Sequence, residues 1–397
     1  MNIRSFALLS SMALMSVSSL AAWADEESHE RGHGNDRILI TNDDGSVTLL
    51  RRDPHNAAAP FKEVDRVNLA LVQPHWPANQ YKGNSEWWWI GLPTGNISGF
   101  KMEHDENLAE LLEPENQVSV NAYTYYGVTP GLPTAGENFS GITPNGKTLW
   151  NSAREIDEIQ EIDTDPHSAT FGTILTHIPV PLSAKAGAGS RTLGKMRPCD
   201  MSITPNGKFL FEPDIGGETV TAVDIKTKQV ASQLRLYPLD QTSPSARVRP
   251  FMLTTNGKIA LVEVLEGQGG YSVIDVSDPY HMREIKRITQ ADGLGVRPST
   301  NEFSPDGKYA YLITTGTPSV PGVISVLDLR SLAIVKNIAL PTNCTPYAGD
   351  FSTNGNHFFV ACPNANAVAV IDTHQQQLVQ TVALSGTNPI PRGVIVR

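Results

Sequence analysis

At 397 residues with a formal net charge of −10, the chain has the length of two or three ordinary domains and is too acidic for a general nucleic-acid binder. Proline and glycine are plentiful, 28 and 32 residues, and no segment sustains a helical period over several turns, so an all-β class is expected.

The elements read as follows from the N-terminus. Arg4 precedes the short apolar run "FALLSSMALMSVSSLAA", and Ala22-Trp23-Ala24 has the small-x-small form of a cleavage site. Residues 1–24 therefore read as a signal peptide cleaved after Ala24, which places the mature chain in the periplasm or outside the cell. No other run approaches a membrane span, so none is expected. Residues 25–36, "DEESHERGHGND", form an acidic leader whose His29 and His33 are expected to stay solvated rather than hold a metal.

From residue 37 onward the chain reads as strands. "RILITNDDGSVTLLRRDP" resembles the second and third strands of a unit with no first strand before it. Its "NDDG" suits a hairpin better than a calcium loop, because the other ligands of such a loop are missing. Residues 68–118 form a degenerate unit in which "EWWWIG" and "NISGFKME" are central strands. Successive side chains of a strand point to opposite faces, so Trp87, Trp88 and Trp89 are read as core on both faces. The connection "NAYTYYGVTPGLPTAGENF", with Tyr123, Tyr125 and Tyr126, is long enough to cover a channel or meet a partner.

A turn motif then recurs at Ile142, Ile203, Leu253, Phe303 and Phe351 ("ITPNGK", "ITPNGK", "LTTNGK", "FSPDGK", "FSTNGN"), at intervals of 61, 50, 50 and 48 residues. Such a period means an array of supersecondary units. Proline presets φ, Asn or Asp tolerates the bridge region, and glycine takes the left-handed position. In each unit an Asp closes the third strand, at Asp163, Asp224, Asp275, Asp328 and Asp372, where it can fold back on the next turn. "REIDEIQEID" alternates acid and isoleucine, as a strand with one wet face should. The final "NPIPRGVIVR" looks like a lone first strand. Paired with the N-terminal unit it completes a ring and hides two sheet edges. The expected fold is a seven-bladed β-propeller spanning 37–397, with blade one closed by the N- and C-terminal strands.

Units such as "FSTNGNHFFVACPNANAVAVIDTHQQQLVQTVAL" resemble the YVTN-type propeller repeats of bacterial periplasmic and surface proteins. That group is similar in fold to propeller lactonases, to the cytochrome cd1 haem domain and to the large subunits of quinone-dependent amine dehydrogenases. The resemblance implies a fold and leaves the chemistry open.

In a propeller the turns between first and second strands lie on one face. The loops between second and third strands and the crossovers between blades lie on the other, around the channel mouth. His55, His104, His167, His281 and His374 fall in outer-rim turns of different blades and cannot share one ion, so no metal is expected. No haem, zinc-finger or phosphate-loop signature is present either, and no cofactor is expected. His75 alone is placed near the crossover face. Arg197, Arg247 and Arg297 occupy one register position in successive blades, and Arg249 adds a second guanidinium in "RVRP". Convergent guanidinium groups suit carboxylates or phosphates, unless acids such as Asp200, Glu212, Asp214, Glu263, Glu266, Glu302 or Asp350 neutralise them. Cys344 and Cys362 flank one hairpin and are expected to bond, leaving Cys199 as a buried thiol.

Three functions fit this pattern. The favoured one is a platform binding an anionic small molecule or a protein partner at the channel mouth. Another is an enzyme of the lactonase, isomerase or lyase type, with Arg holding a carboxylate and Glu302, Asp350 or His75 moving a proton. The last is a propeller subunit of a redox complex that takes its cofactor from a second chain.

Overall fold

The computed structural model describes residues 36–71, 76–77, 87–92, 95–101, 107–121, 138–182, 194–239, 248–265 and 269–397. The chain opens with β1 (Ile38–Asn42), β2 (Ser46–Arg52) and β3 (Phe61–Asn68). Blade two follows as β4 (Trp76–Pro77), β5 (Trp87–Gly91), β6 (Asn96–Lys101) and β7 (Gln117–Asn121), and blade three as β8 (Asn138–Ile142), β9 (Thr148–Ala153), β10 (Glu158–Asp163) and β11 (Ile174–Pro179). Blade four holds β12 (Ser202–Ile203), β13 (Phe209–Asp214), β14 (Thr219–Asp224) and β15 (Gln229–Arg235), and blade five β16 (Pro250–Thr255), β17 (Ile259–Val264), β18 (Gly270–Asp275) and β19 (Arg283–Ile288). Blade six comprises β20 (Pro298–Phe303), β21 (Tyr309–Thr317), β22 (Val320–Asp328) and β23 (Ala333–Ala339), and blade seven β24 (Gly349–Phe351), β25 (His357–Cys362), β26 (Ala367–Asp372) and β27 (Gln377–Ala383). The last strand, β28 (Pro391–Val396), returns to pair antiparallel with β1, from Ile38 opposite Val396 to Asn42 opposite Pro391.

The result is seven four-stranded antiparallel sheets. Their first strands neighbour one another in the cycle β28, β4, β8, β12, β16, β20, β24 and back to β28. The ring is therefore a seven-bladed β-propeller, with blade one assembled from both chain ends.

Hydrophobic burial follows the blade interfaces rather than one centre. Trp88 and Ile90 pack with Leu39, Leu49 and Ile395 of blade one, whereas Trp87 and Trp89 pack with Leu149 and Ile162 of blade three. Each of the other interfaces has its own cluster, including the one where Phe359 and Val370 of blade seven meet Ile38 and Val394 of blade one. A strand buried on both faces has no polar alternation to show, which explains the continuous apolar runs in the sequence.

The closing aspartates act as read. The carboxylates of Asp163, Asp224, Asp275, Asp328 and Asp372 accept main-chain N–H bonds from the turns that follow them. Cys344, in the crossover into blade seven, is bonded to Cys362 at the end of β25, and Cys199 is buried and unoxidised. The stretch "REIDEIQEID" departs from expectation. Residues 154–156 form a 3-10 turn, and every residue of β10 is buried. Glu158 and Glu161 lie on opposite faces of the strand, and both faces of a blade meet neighbours, so both acids are buried. Glu158 is satisfied by a hydrogen-bonded row, in which Asn151 joins Ser140 to Gln160 and both Gln160 and His177 reach Glu158, and Glu161 by Thr176 and Lys228.

The repeated turn also joins blade to blade. A Cβ placed on Gly257 would lie 3.1 Å from Pro205 of the preceding turn, whereas one on Gly307 meets nothing within 4 Å, because the turn before it carries Thr255 instead of proline. Both glycines have positive φ, 84° and 68°, so alanine strains each backbone by ~1–2 kcal/mol. Gly257→Ala is expected to lower the melting temperature more than Gly307→Ala, by the equivalent of roughly 1 kcal/mol of added crowding. Equal losses in thermal denaturation would show that the proline contact contributes nothing.

Candidate active face of the propeller

The described arginines of the predicted sector share a local geometry. Arg197, Arg249 and Arg297 each precede the proline at the start of an innermost strand or its bridge, Pro198, Pro250 and Pro298. Their carbonyls accept N–H bonds from Ile215, Leu265 and Thr315, at the far end of the second strand of the same blade, at 3.1, 3.0 and 2.7 Å. Arg197 and Arg297 have φ of 56° and 57°, and Ile390, before Pro391, repeats this at 50°. Bulky side chains rarely adopt that region, so the crossovers are held against local preference by these bonds.

Their side chains differ. Arg197 is half-buried and forms an ion pair with Glu155 of blade three, which Arg154 also approaches at 3.5 Å. Glu155 is not among the acids the sequence suggested; it comes within reach because the 3-10 turn lifts it onto the rim. Arg249 and Arg297 are exposed, and neither forms an ion pair among the described residues. Arg247 and His75 lie outside the described residues, as does the crossover segment holding Lys185 and Arg191. Lys195 is exposed and its ammonium donates to the Glu155 carbonyl.

Beneath this rim lies a group of carboxyls between blades three, four and five. Asp157, half-buried, accepts the Arg197 N–H at 2.7 Å, yet loss of hydration raises its pKa above the usual carboxylate range. Glu212 and Asp214 are fully buried on one face of β13. Thr219 and Thr221 donate to Asp214 at 2.7 and 2.6 Å, and Ser152 donates to Glu212 at 3.3 Å. Burial nevertheless pushes Asp214 up to about 7, and burial together with the Asp214 charge lifts Glu212 well up. One oxygen of each, Glu212 Oε1 and Asp214 Oδ1, has no hydrogen-bond partner among the described residues. Two adjoining carboxyls raised in this way favour keeping a proton between them over carrying two charges. Asp200, half-buried, is pushed up to about 7 by burial although Leu253 N–H donates to it at 2.7 Å, and Glu263 rises through burial and the Asp200 charge.

Glu302 is half-buried in β20, and Asp350 is buried in β24. The Asp350 oxygens accept the Phe351 and Val396 N–H groups at 2.7 and 2.8 Å, the second across the joint between blades seven and one. Among the described residues no three His, Cys, Asp or Glu side chains are grouped so as to hold a metal ion. The face thus carries exposed guanidinium groups and, below them, carboxyls raised above the usual carboxylate range, with Asp200 and Asp214 pushed up to about 7.

No family model matches this chain. No curated protein matches it in sequence. Solved structures do match in fold. A 6-phosphogluconolactonase-like protein from Bacteroides uniformis superposes with a TM-score of 0.66 at 14% identity, covering 92% of this chain and 100% of that one. The periplasmic gluconolactonase PpgL of Pseudomonas aeruginosa gives 0.63 at 16% identity, covering 91% and 98%. The dihydro-heme d1 dehydrogenase NirN gives 0.55 at 14% identity, covering 91% and 74%. These likenesses establish the propeller fold.

The raised carboxyl pKa values fix a sign for stability. The folded protein retains protons that the unfolded chain has released, so this contribution is complete below the unfolded carboxylate range of ~4 and is lost as pH rises through about 7. Each such proton contributes a slope of ~1.4 kcal/mol per pH unit in that window. Asp214→Asn, which keeps an acceptor for both threonines, is expected to flatten the fall in denaturant midpoint between pH ~5 and ~7. An unchanged slope would show that Asp214 carries no proton there.

Proposed function

We propose that this chain is an exported β-propeller, of the repeat type its turn motifs resemble, that binds a small anionic molecule on the crossover face at the channel mouth. The observation carrying this reading is the pair Arg249 and Arg297, exposed at the start of the innermost strands of neighbouring blades and without an ion pair among the described residues. In a chain of net charge −10, two uncompensated guanidiniums on one rim favour a carboxylate or phosphate by bidentate hydrogen bonding. Arg197 is the spent member of the series, its charge balanced by Glu155. The sugar-acid chemistry named for the two lactonase-type neighbours is of this class.

A second reading is supported by Asp157 and Asp200. Both residues are half-buried, both carboxyls are raised by loss of hydration, and both flank the Arg197 crossover. Asp200, pushed up to about 7, suits proton transfer during opening of a lactone ring, and Asp157 is raised in the same direction.

The test is isothermal titration calorimetry with gluconate and 6-phosphogluconate at low and high salt. Binding is expected to weaken with salt, and by about three- to tenfold in each of Arg249→Gln and Arg297→Gln. No heat with either anion, or affinity unchanged in the double variant, would remove the proposal. Hydrolysis of gluconolactone above the buffer rate, lost in Asp200→Asn with binding retained, would favour the enzyme over the platform.

A further inference from the structure

The opposite face carries a second concavity. The turns at 304–308 of blade six and 352–356 of blade seven stand side by side, and the turn at 373–376 completes a cleft of about 300 Å3 between them. That volume lies at the small end of ligand sites.

Much of the polar chemistry of the cleft is already committed. Asp306 accepts from the Ser304 hydroxyl at 2.7 Å and pairs with the Lys308 ammonium at 3.2 Å, so the one carboxylate and the one ammonium on the wall cancel. The side-chain carbonyl of Asn354 accepts from Ser352, and that of Asn356 faces His374 Nε2 at 3.0 Å. The uncommitted groups are neutral. Among the described residues, the amide nitrogens of Asn354 and Asn356 and the hydroxyl of Tyr309 make no hydrogen bond, and all three residues line the cleft. Behind them Tyr311 is buried and packed edge-on against Phe351 at 4.9 Å, so it backs the cleft, and the aromatic surface facing it is the half-buried Tyr309 ring.

We propose that this cleft is a second binding site, for a neutral polyhydroxylated ligand the size of one hexose unit. An anion finds no uncompensated cation there, since Lys308 is paired. A purely apolar ligand would desolvate the amides and the phenol without replacing their hydrogen bonds. A sugar ring presents hydroxyls to the amide and phenol groups and a C–H face to the Tyr309 ring, so it meets both requirements. The site is on the face away from the arginine rim and stands or falls independently of it.

Saturation-transfer-difference NMR and calorimetry on the mature protein with glucose, galactose, mannose and N-acetylglucosamine test this. At least one sugar is expected to bind in the millimolar range, about tenfold more weakly in Asn356→Ala and several-fold more weakly in Tyr309→Phe, with Arg297→Gln unaffected. Tyr309→Phe keeps the ring and removes only the hydroxyl, so a lost fold cannot imitate a lost site. Absence of binding by every sugar at tens of millimolar, or binding untouched by both variants, would overturn the proposal.

Discussion

The pairing of β28 with β1 is the joint on which the rest of the molecule depends. Each blade carries apolar side chains on both faces, so a row of blades would leave two interfaces open to water, one at each end. Joining the two chain ends within blade one closes the seventh interface, where Phe359 and Val370 pack on Ile38 and Val394. The same joint removes two unpaired strand edges that would otherwise invite association. Its register is supported by hydrogen bonds outside the ladder. Asp350 of blade seven accepts the Val396 N–H, and Asp36 accepts the Thr353 N–H.

Closure creates a further requirement. Every innermost strand pairs on one side only and turns its other edge toward the axis. Neighbouring blades satisfy part of that edge with side chains. Asp200 and Ser202 take the N–H groups of Leu253 and Thr255, while Ser299 and Thr300 donate to the Tyr347 carbonyl. Tyr271 reaches across an interface to the carbonyls of Thr300 and Ile313. The carboxyls near the channel are thus part of the mortar between blades. The cost of dehydrating them appears as the raised pKa values of Asp157 and Asp200.

The two faces of the ring present contrasting chemistry from the same repeat. Crossovers vary in length and composition, and three of them hold a residue in the left-handed region before a proline, which aims that residue at the rim. The turns between first and second strands of blades three to seven, on the other face, are nearly identical in sequence, and their differences are small substitutions such as Asn356 and His357 in place of Lys308 and Tyr309. A scaffold whose strands are committed to packing leaves recognition to these connections.

Much of the fold was legible in the sequence, because a propeller repeats local signals. The PNG turns, the closing aspartates, the split first blade and the bond between Cys344 and Cys362 all depend on residues close in sequence or on counting. The candidate site was legible only as a register of arginines. That Glu155 neutralises Arg197, that Glu212 and Asp214 lie close to Asp157, and that the acids of "REIDEIQEID" in β10 are buried were decided by the tertiary structure. The first two bring together residues about 40 to 60 positions apart on different blades. Strand alternation says which side chains share a face, but it does not say whether that face meets water or the next blade, and only the closed ring settles this.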